Sequence, residues 1–257
     1  MNGIMSNLTV CLTGEILRGE VGSGLHGTGM PGQEDRDEMG VVIEPPENVF
    51  GPVQWEHYIS REAPEGVSAA PGDLEQTWYS LRKFMRLATQ GNPSVLVLLY
   101  CPRSHIVTRT NFGQELQDLA GDIISTRCIP RFLGYLGNQK NDLIKRKTRP
   151  ALVEKFNLDV KAAMHAVRLG YQGLQLNKFG FLCEPVDEPM RVHLSDIRAG
   201  RVAFEDILIE LEEYETKLLE LKENPNRSAL REEPDWQLLN GFLYRAYTET
   251  WRECLGF

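Results

Sequence analysis

The stretch from Glu20 to Ile43, E-V-G-S-G-L-H-G-T-G-M-P-G-Q-E-D-R-D-E-M-G-V-V-I, restricts what this chain can fold into more than any other. It reads as a strand running into a glycine-rich turn at Gly22 and Ser23, then a flexible span through Gly32, then a second strand over Met39 to Ile43. Asp35 and Asp37 enter that second strand. Residues two apart in an extended segment point the same way, so the pattern predicts two carboxylates side by side on one face of a sheet edge. Acids held together repel, and a cation between them stabilises the ionised pair. Oxygen ligands alone suit a hard ion such as Mg2+, which normally shares its shell with a substrate phosphate. The turn upstream offers backbone N–H groups and a small hydroxyl to phosphate oxygens.

The order of these parts, a Gly-Ser turn, 11 residues between Ser23 and Asp35, then D-R-D, resembles the signature of the DNA polymerase β nucleotidyltransferase superfamily. The strings G-S-G-L-H-G-T-G and E-D-R-D-E-M-G-V, with a trailing E-P-P, are similar to one branch of it, the polymerase β-like nucleotidyltransferases associated with RNA repair pathways. Asp73 to Tyr100 is similar to that branch's strand-helix-helix segment, and K-A-A-M-H-A-V-R-L-G, Lys161 to Gly170, to its later helix. The resemblance implies an α+β fold with an α/β-type core: a mixed sheet with flanking helices, followed by a helical C-terminal region. The expected domains are a nucleotidyltransferase core over 1–105 and a helical domain over 106–257 that completes the nucleotide and acceptor cleft.

The resemblance also implies a third carboxylate on a strand next to the first pair. Alternation from Asp73 places Asp73, Glu75, Thr77 and Tyr79 on one face, so either acid could supply it; Glu75 lies deeper in the strand and is favoured. One departure stands out. Many relatives carry serine immediately before the first aspartate, where this chain has Glu34.

Further along, Ser80 can cap a helix from Leu81 to about Thr89 whose basic face, Arg82, Lys83 and Arg86, either reaches a triphosphate or is simply solvated. Helices are expected over Asn111 to Leu119 and Ser125 to Lys147. The second carries Arg127, Arg131, Lys140, Lys145, Arg146 and Lys147, continuing to Arg149, a basic strip that with Phe132 and Tyr135 could hold an RNA strand. In a helix over Leu158 to Leu176, Lys161, His165 and Arg168 recur on one stripe, opposite a packing side of Val160, Ala163, Met164, Val167 and Tyr171. Phe179 to Glu184 reads as a short strand, Met190 to Ala199 and Phe204 to Glu223 as helices, and Asp235 to Cys254 as a last amphipathic helix. The 204–223 helix offers a leucine and isoleucine stripe for packing or self-association.

The net charge of −8 argues against a protein that coats long nucleic acid by charge alone. Five scattered cysteines without a C-x-x-C pair point away from a disulfide framework or zinc site and towards the reducing cytoplasm. The longest apolar run, Val95 to Cys101, is too short to cross a bilayer, so no membrane partner is expected.

The activity the resemblance implies is transfer of a nucleoside monophosphate from an NTP to an acceptor hydroxyl, an RNA or tRNA end favoured, with release of pyrophosphate. Asp35, Asp37 and Glu75 or Asp73 would hold two Mg2+ ions, with Mn2+ as a substitute. Gly22, Ser23 and His26 would contact the nucleotide phosphates, helped by Lys161, His165, Arg168, Arg82 and Lys83, with a protonated His165 as an acid for the leaving group. The rival readings are a catalytically silent nucleotide- or RNA-binding regulator and an AMPylating enzyme that modifies protein.

Overall fold

A computed structural model describes residues 7–29, 36–62, 72–145 and 149–255. The elements run α1 (Asn7–Gly14), β1 (Glu15–Val21), α2 (Gly22–His26), β2 (Arg36–Val42), α3 (Pro46–Phe50), β3 (His57–Arg61), β4 (Leu74–Ser80), α4 (Leu81–Thr89), α5 (Pro93–Leu99), β5 (Ile106–Arg109), α6 (Asn111–Asp118) and α7 (Ala120–Ile123). They continue as α8 (Cys128–Ile144), α9 (Pro150–Phe156), α10 (Val160–Phe179), α11 (Glu188–Arg198), α12 (Phe204–Glu223) and α13 (Trp236–Leu255). The fold is α+β, a mixed sheet with flanking helices followed by a helical region. It divides into two compact units. The first takes Met1–Ala88, Val95–Ile123 and Pro234–Phe257; the second takes Thr89–Ser94 and Ile124–Glu233.

The first unit holds a five-stranded sheet in the order β3-β4-β2-β1-β5. β1 pairs antiparallel with both β2 and β5, and β3 pairs antiparallel with β4. Only β2 and β4 are parallel, in the register Asp37 opposite Glu75 and Met39 opposite Thr77. α1 covers one face: Val10 and Cys11 pack there with Val42, Trp55 and Trp78. Trp78 is fixed at both ends, its ring stacked with Tyr58 at 6.2 Å and its Nε1 donating to Glu15 Oε2 at 2.8 Å. Gly40 lies opposite Trp78 in the ladder, and any Cβ there would overlap the indole. α13 returns to this unit, where Tyr247 donates to the buried Glu44 carboxylate at 2.9 Å and Trp251 Nε1 donates to the Glu44 carbonyl at 3.0 Å.

The second unit is built around α10. Asp159 caps its start by accepting from the N–H groups of Lys161 and Ala162, and Gly180 ends it in the left-handed region. Gly170 and Gly173 leave room for the rings of Tyr214 on α12 and Phe132 on α8, so the helix is enclosed along most of its length. Ile207, Leu211 and Leu218 of α12 are fully buried inside the chain, while Ile209 and Leu219 remain exposed. Beside α10, burial pushes the Glu184 carboxyl up to about 7, although the nearby Arg168 charge and a hydrogen bond from Gln172 pull the other way.

Most elements fall where the sequence places them, with local shifts. Beyond the Gly51-Pro52 break the edge strand forms over His57–Arg61. The strand expected over Phe179 to Glu184 does not form: Phe179 is the last residue of α10, and the segment that follows has no strand partner among the described residues. α8 spans Cys128–Ile144, shorter than the predicted helix.

Two outcomes are expected. Gly40→Ala forces the pinned Trp78 ring to move and should cost about 1–3 kcal/mol in urea denaturation; an unchanged midpoint would contradict this packing. Glu184, with its folded pKa raised, binds a proton in the folded state that the unfolded chain has released. Stability should therefore fall as pH rises from about 4.5 to about 7 and level off above that. Glu184→Gln should flatten that part of the curve, and an identical pH slope in the variant would contradict the assignment.

Candidate active site

The Gly22–Ser23 turn is positioned by β1 and closed by α2, where Gly27 donates to the Gly24 carbonyl and Thr28 to the Ser23 carbonyl. Val21 precedes α2 without a side-chain cap hydrogen bond. Gly22 has φ +71, and a Cβ on it would overlap the Asp37 carboxylate. Asp37 is thus packed directly against the backbone of the turn. That approach requires glycine on two counts, the left-handed φ and the space.

The ladders carry this contact across the sheet. Val21 pairs with Asp37, Asp37 with Glu75, and Glu75 with Arg61, so turn, two carboxylates and a guanidinium occupy one row of four strands. Paired residues on neighbouring strands share a face, with Cα atoms about 5 Å apart. Glu75 accepts an ion pair from Arg61 Nε at 2.8 Å, which offsets the repulsion between the two acids. Asp73 lies one residue before β4, and its carbonyl accepts from Arg36 N–H at 3.1 Å. Asp35 lies outside the described residues.

On the other side of the same strands a buried ionic network fixes the row. Glu38 is 2% exposed; burial alone would raise its pKa, but hydrogen bonds from Gln76 and Arg18 and the charges of Arg18 and Arg36 outweigh that and hold it low. Gln76 Nε2 donates to it at 2.8 Å and Arg18 Nη1 by a short bond. Arg36 lies 2.7 Å from Glu38 Oε1, an ionic contact without hydrogen-bond alignment.

A cavity of about 500 Å3 opens on the Arg36 side of the turn, lined by Glu20, Ser23, Gly24, Gly27, Gly29, Arg36 and Gly72. Asp37 is not among its walls. The turn therefore has two faces, a carboxylate face at Gly22 and a cavity face at Ser23 and Gly24. Arg36 and Glu20 are residues the sequence reading missed. The signal was present in D-R-D, since the residue between two same-facing positions on a strand must face the opposite way.

Three expected nucleotide contacts change meaning. His26 is 2% exposed, so its ring is enclosed rather than offered to a ligand. Arg82 and Lys83 begin α4 at the far end of β4 from Glu75, about 17 Å along the strand, because the parallel pairing puts both acids at the start of their strands. Lys83 pairs with Glu56 at 2.8 Å, and Arg82 N–H donates to Tyr247. Part of the basic strip is occupied: Arg127 pairs with Glu233, Arg131 donates to Gln90, Lys140 pairs with Glu215, Arg149 pairs with Asp159, and Phe132 is buried, while Arg146 and Lys147 lie outside the described residues.

Lys161, His165 and Arg168 belong to the second unit. Arg168 donates to His165 Nδ1 at 2.8 Å, while its Nε and Nη1 are buried without a hydrogen-bond partner. Burial lowers the Arg168 pKa to about 10, with Glu184 opposing the shift. Burial and then the Arg149 charge lower the pKa of His165, so its resting imidazole is neutral and not the acid expected from sequence.

Among the described residues, no group of three or more His, Cys, Asp and Glu side chains is placed to hold a metal ion, and no helix is long and apolar enough to cross a membrane. Asp37 and Glu75, adjacent on a parallel ladder and oxygen-only, are the described donors whose chemistry suits a hard divalent ion.

No curated protein matches the sequence. Among solved structures, a nucleotidyltransferase-like protein from Exiguobacterium sibiricum 255-15 is similar at 11% identity and a TM-score of 0.32, over 85% of this chain and 72% of that one. Residues 13–245 match the model of the RNA repair pathway DNA polymerase beta family. The turn, the strand that carries Asp37 and most of the helical region fall within that match, and the chain belongs to the RNA repair pathway DNA polymerase beta family of nucleotidyltransferases.

Proposed function

We propose that this chain moves a nucleoside monophosphate from an NTP to the hydroxyl at an RNA end, with release of pyrophosphate. The observation that carries the reading is the Asp37 carboxylate packed on the Gly22 backbone, in register with Glu75. This arrangement brings oxygen donors and a bulk-free phosphate turn to one place. Asp37 and Glu75, with Asp35 as a further donor, would hold Mg2+. Bound there, the ions would supply Lewis acidity that lowers the acceptor hydroxyl's pKa and neutralises charge on the departing pyrophosphate.

The chain's own groups do the rest. Ser23 and the first N–H groups of α2 orient phosphate oxygens, and Arg36 contributes positive charge at the cavity wall. Arg61 screens Glu75 before substrate arrives.

The test is transfer of label from each α-labelled NTP with Mg2+, with and without an RNA acceptor. Label should appear on RNA. Asp37→Asn preserves shape while removing the charge, and should lower transfer by about 100-fold or more. Full activity in that variant would overturn the reading. Label on protein alone would replace the RNA acceptor with a protein hydroxyl, and nucleotide binding without any transfer would favour a silent binder.

A further inference from the structure

We propose that Thr28 is a positioning residue for the nucleotide: its hydroxyl hydrogen-bonds the terminal phosphate of a bound NTP, an inference that rests on the nucleotidyl-transfer reading above. The residue sits between two glycines in G-L-H-G-T-G. Gly27 takes the left-handed region at φ +66, which turns the chain back on itself. Thr28 N–H then donates to the Ser23 carbonyl at 3.0 Å, so Thr28 is held against the turn at Ser23.

Thr28 is 3% exposed, and among the described residues its Oγ1 has no hydrogen-bond partner. Its chain neighbours Gly27 and Gly29 line the cavity of about 500 Å3 together with Ser23 and Gly24. The other unmatched buried side-chain atoms described in the first unit lie elsewhere. Glu38 Oε1 is in ionic contact with Arg36, Trp55 belongs to the core beside α1, and Glu44 Oε1 sits on a carboxylate whose other oxygen accepts from Tyr247 of α13. A buried hydroxyl is normally matched, because its desolvation is otherwise uncompensated. In the empty protein valine would fill nearly the same space without that penalty. A ligand oxygen within reach reverses the order.

Which ligand atom this is follows from the two faces of the turn. Asp37 packs on Gly22, whereas the cavity begins at Ser23 and Gly24. The reacting α-phosphate belongs beside the carboxylates, so the far end of the triphosphate belongs on the other face, where Thr28 is clipped to Ser23. Charge alone does not select there. Among the described residues the charged side chains on the wall are Glu20 and Arg36, of opposite sign, and Arg36 already stands 2.7 Å from Glu38. Discrimination falls to hydrogen-bond donors, and a terminal phosphate has three acceptor oxygens that can take two hydroxyls at once. A turn about χ1, which exchanges hydroxyl and methyl, brings Thr28 Oγ1 to that phosphate without moving the backbone.

The experiment compares wild type, Thr28→Val and Thr28→Ser as full chains without acceptor RNA. Thermal unfolding is followed with no ligand, and affinities for a non-hydrolysable NTP and for the matching NDP are measured with Mg2+ by calorimetry. Thr28→Val should melt at or above the wild-type midpoint, yet bind NTP about tenfold more weakly or worse, while NDP affinity stays within about twofold. Thr28→Ser, which keeps the hydroxyl, should bind NTP within about threefold of wild type. A threonine that served packing alone would give the reverse pattern, a lowered midpoint in Thr28→Val with nucleotide affinities unmoved. NTP affinity in Thr28→Val within about twofold of wild type would overturn the inference, as would equal losses for NTP and NDP. Thr28→Ser as weak as Thr28→Val would assign the effect to the methyl group and overturn it too. A Thr28→Val chain that fails to fold would do the same, since the empty protein would then need the hydroxyl. Wild type that binds no NTP would sink the nucleotidyl-transfer reading itself, so the two failures are told apart.

Discussion

The parallel pairing of β2 with β4 is the constraint on which the site depends. The other ladders of the sheet are antiparallel, and an antiparallel partner would have put a carboxylate at β4's start beside the end of β2. Parallel pairing aligns the two starts, so Asp37 meets Glu75 and the chain leaves both strands at the opposite end. Such a pairing needs a crossover, here the passage through α3 and β3. The crossover strand is also what brings Arg61 to Glu75.

Register is held from the far side of the sheet. A one-residue slip would turn Asp37 into the interior and Glu38 out to the turn, so the position of the Asp37–Glu75 row is only as secure as the ladder. Glu38, Arg18 and Gln76 interlock beneath that row, and Glu15 ties Trp78 to the same cluster. A buried carboxylate with this many donors is costly to break, because any shifted register leaves charges unpaired. The network contributes specificity of alignment more than net stability. Gly22 adds the last element, since only a residue without a side chain lets the aspartate rest on the turn.

What the sequence disclosed and what it withheld follow from the range of the interactions. The Gly-Ser turn, β1, β2 and the helix from Val160 are dictated by local pattern and caps, and they are where the residues place them. Glu75 against Asp73 could not be separated by alternation, because both share a face; what favours Glu75 is its place opposite Asp37 on the neighbouring strand. The misplacement of Arg82 and Lys83 has the same origin, since strand direction is a pairing property. Phe132 looked available for base stacking on a basic helix, yet Gly173 on α10 leaves a hollow that its ring fills. His165 looked cationic by spacing alone, and its protonation is set by burial and by Arg149. Arg36 was hidden in plain view between two acids.

The central claim is that a divalent ion and a triphosphate meet where Asp37 rests on the Gly22 turn. The direct measurement is amide NMR of the full chain titrated with Mn2+ in the presence of a non-hydrolysable NTP, read as paramagnetic broadening. Signals of residues 22–24, 37 and 75 should broaden first, and should do so only weakly when the nucleotide is omitted. Sharp signals at those positions, with broadening centred elsewhere in the chain, would contradict the account.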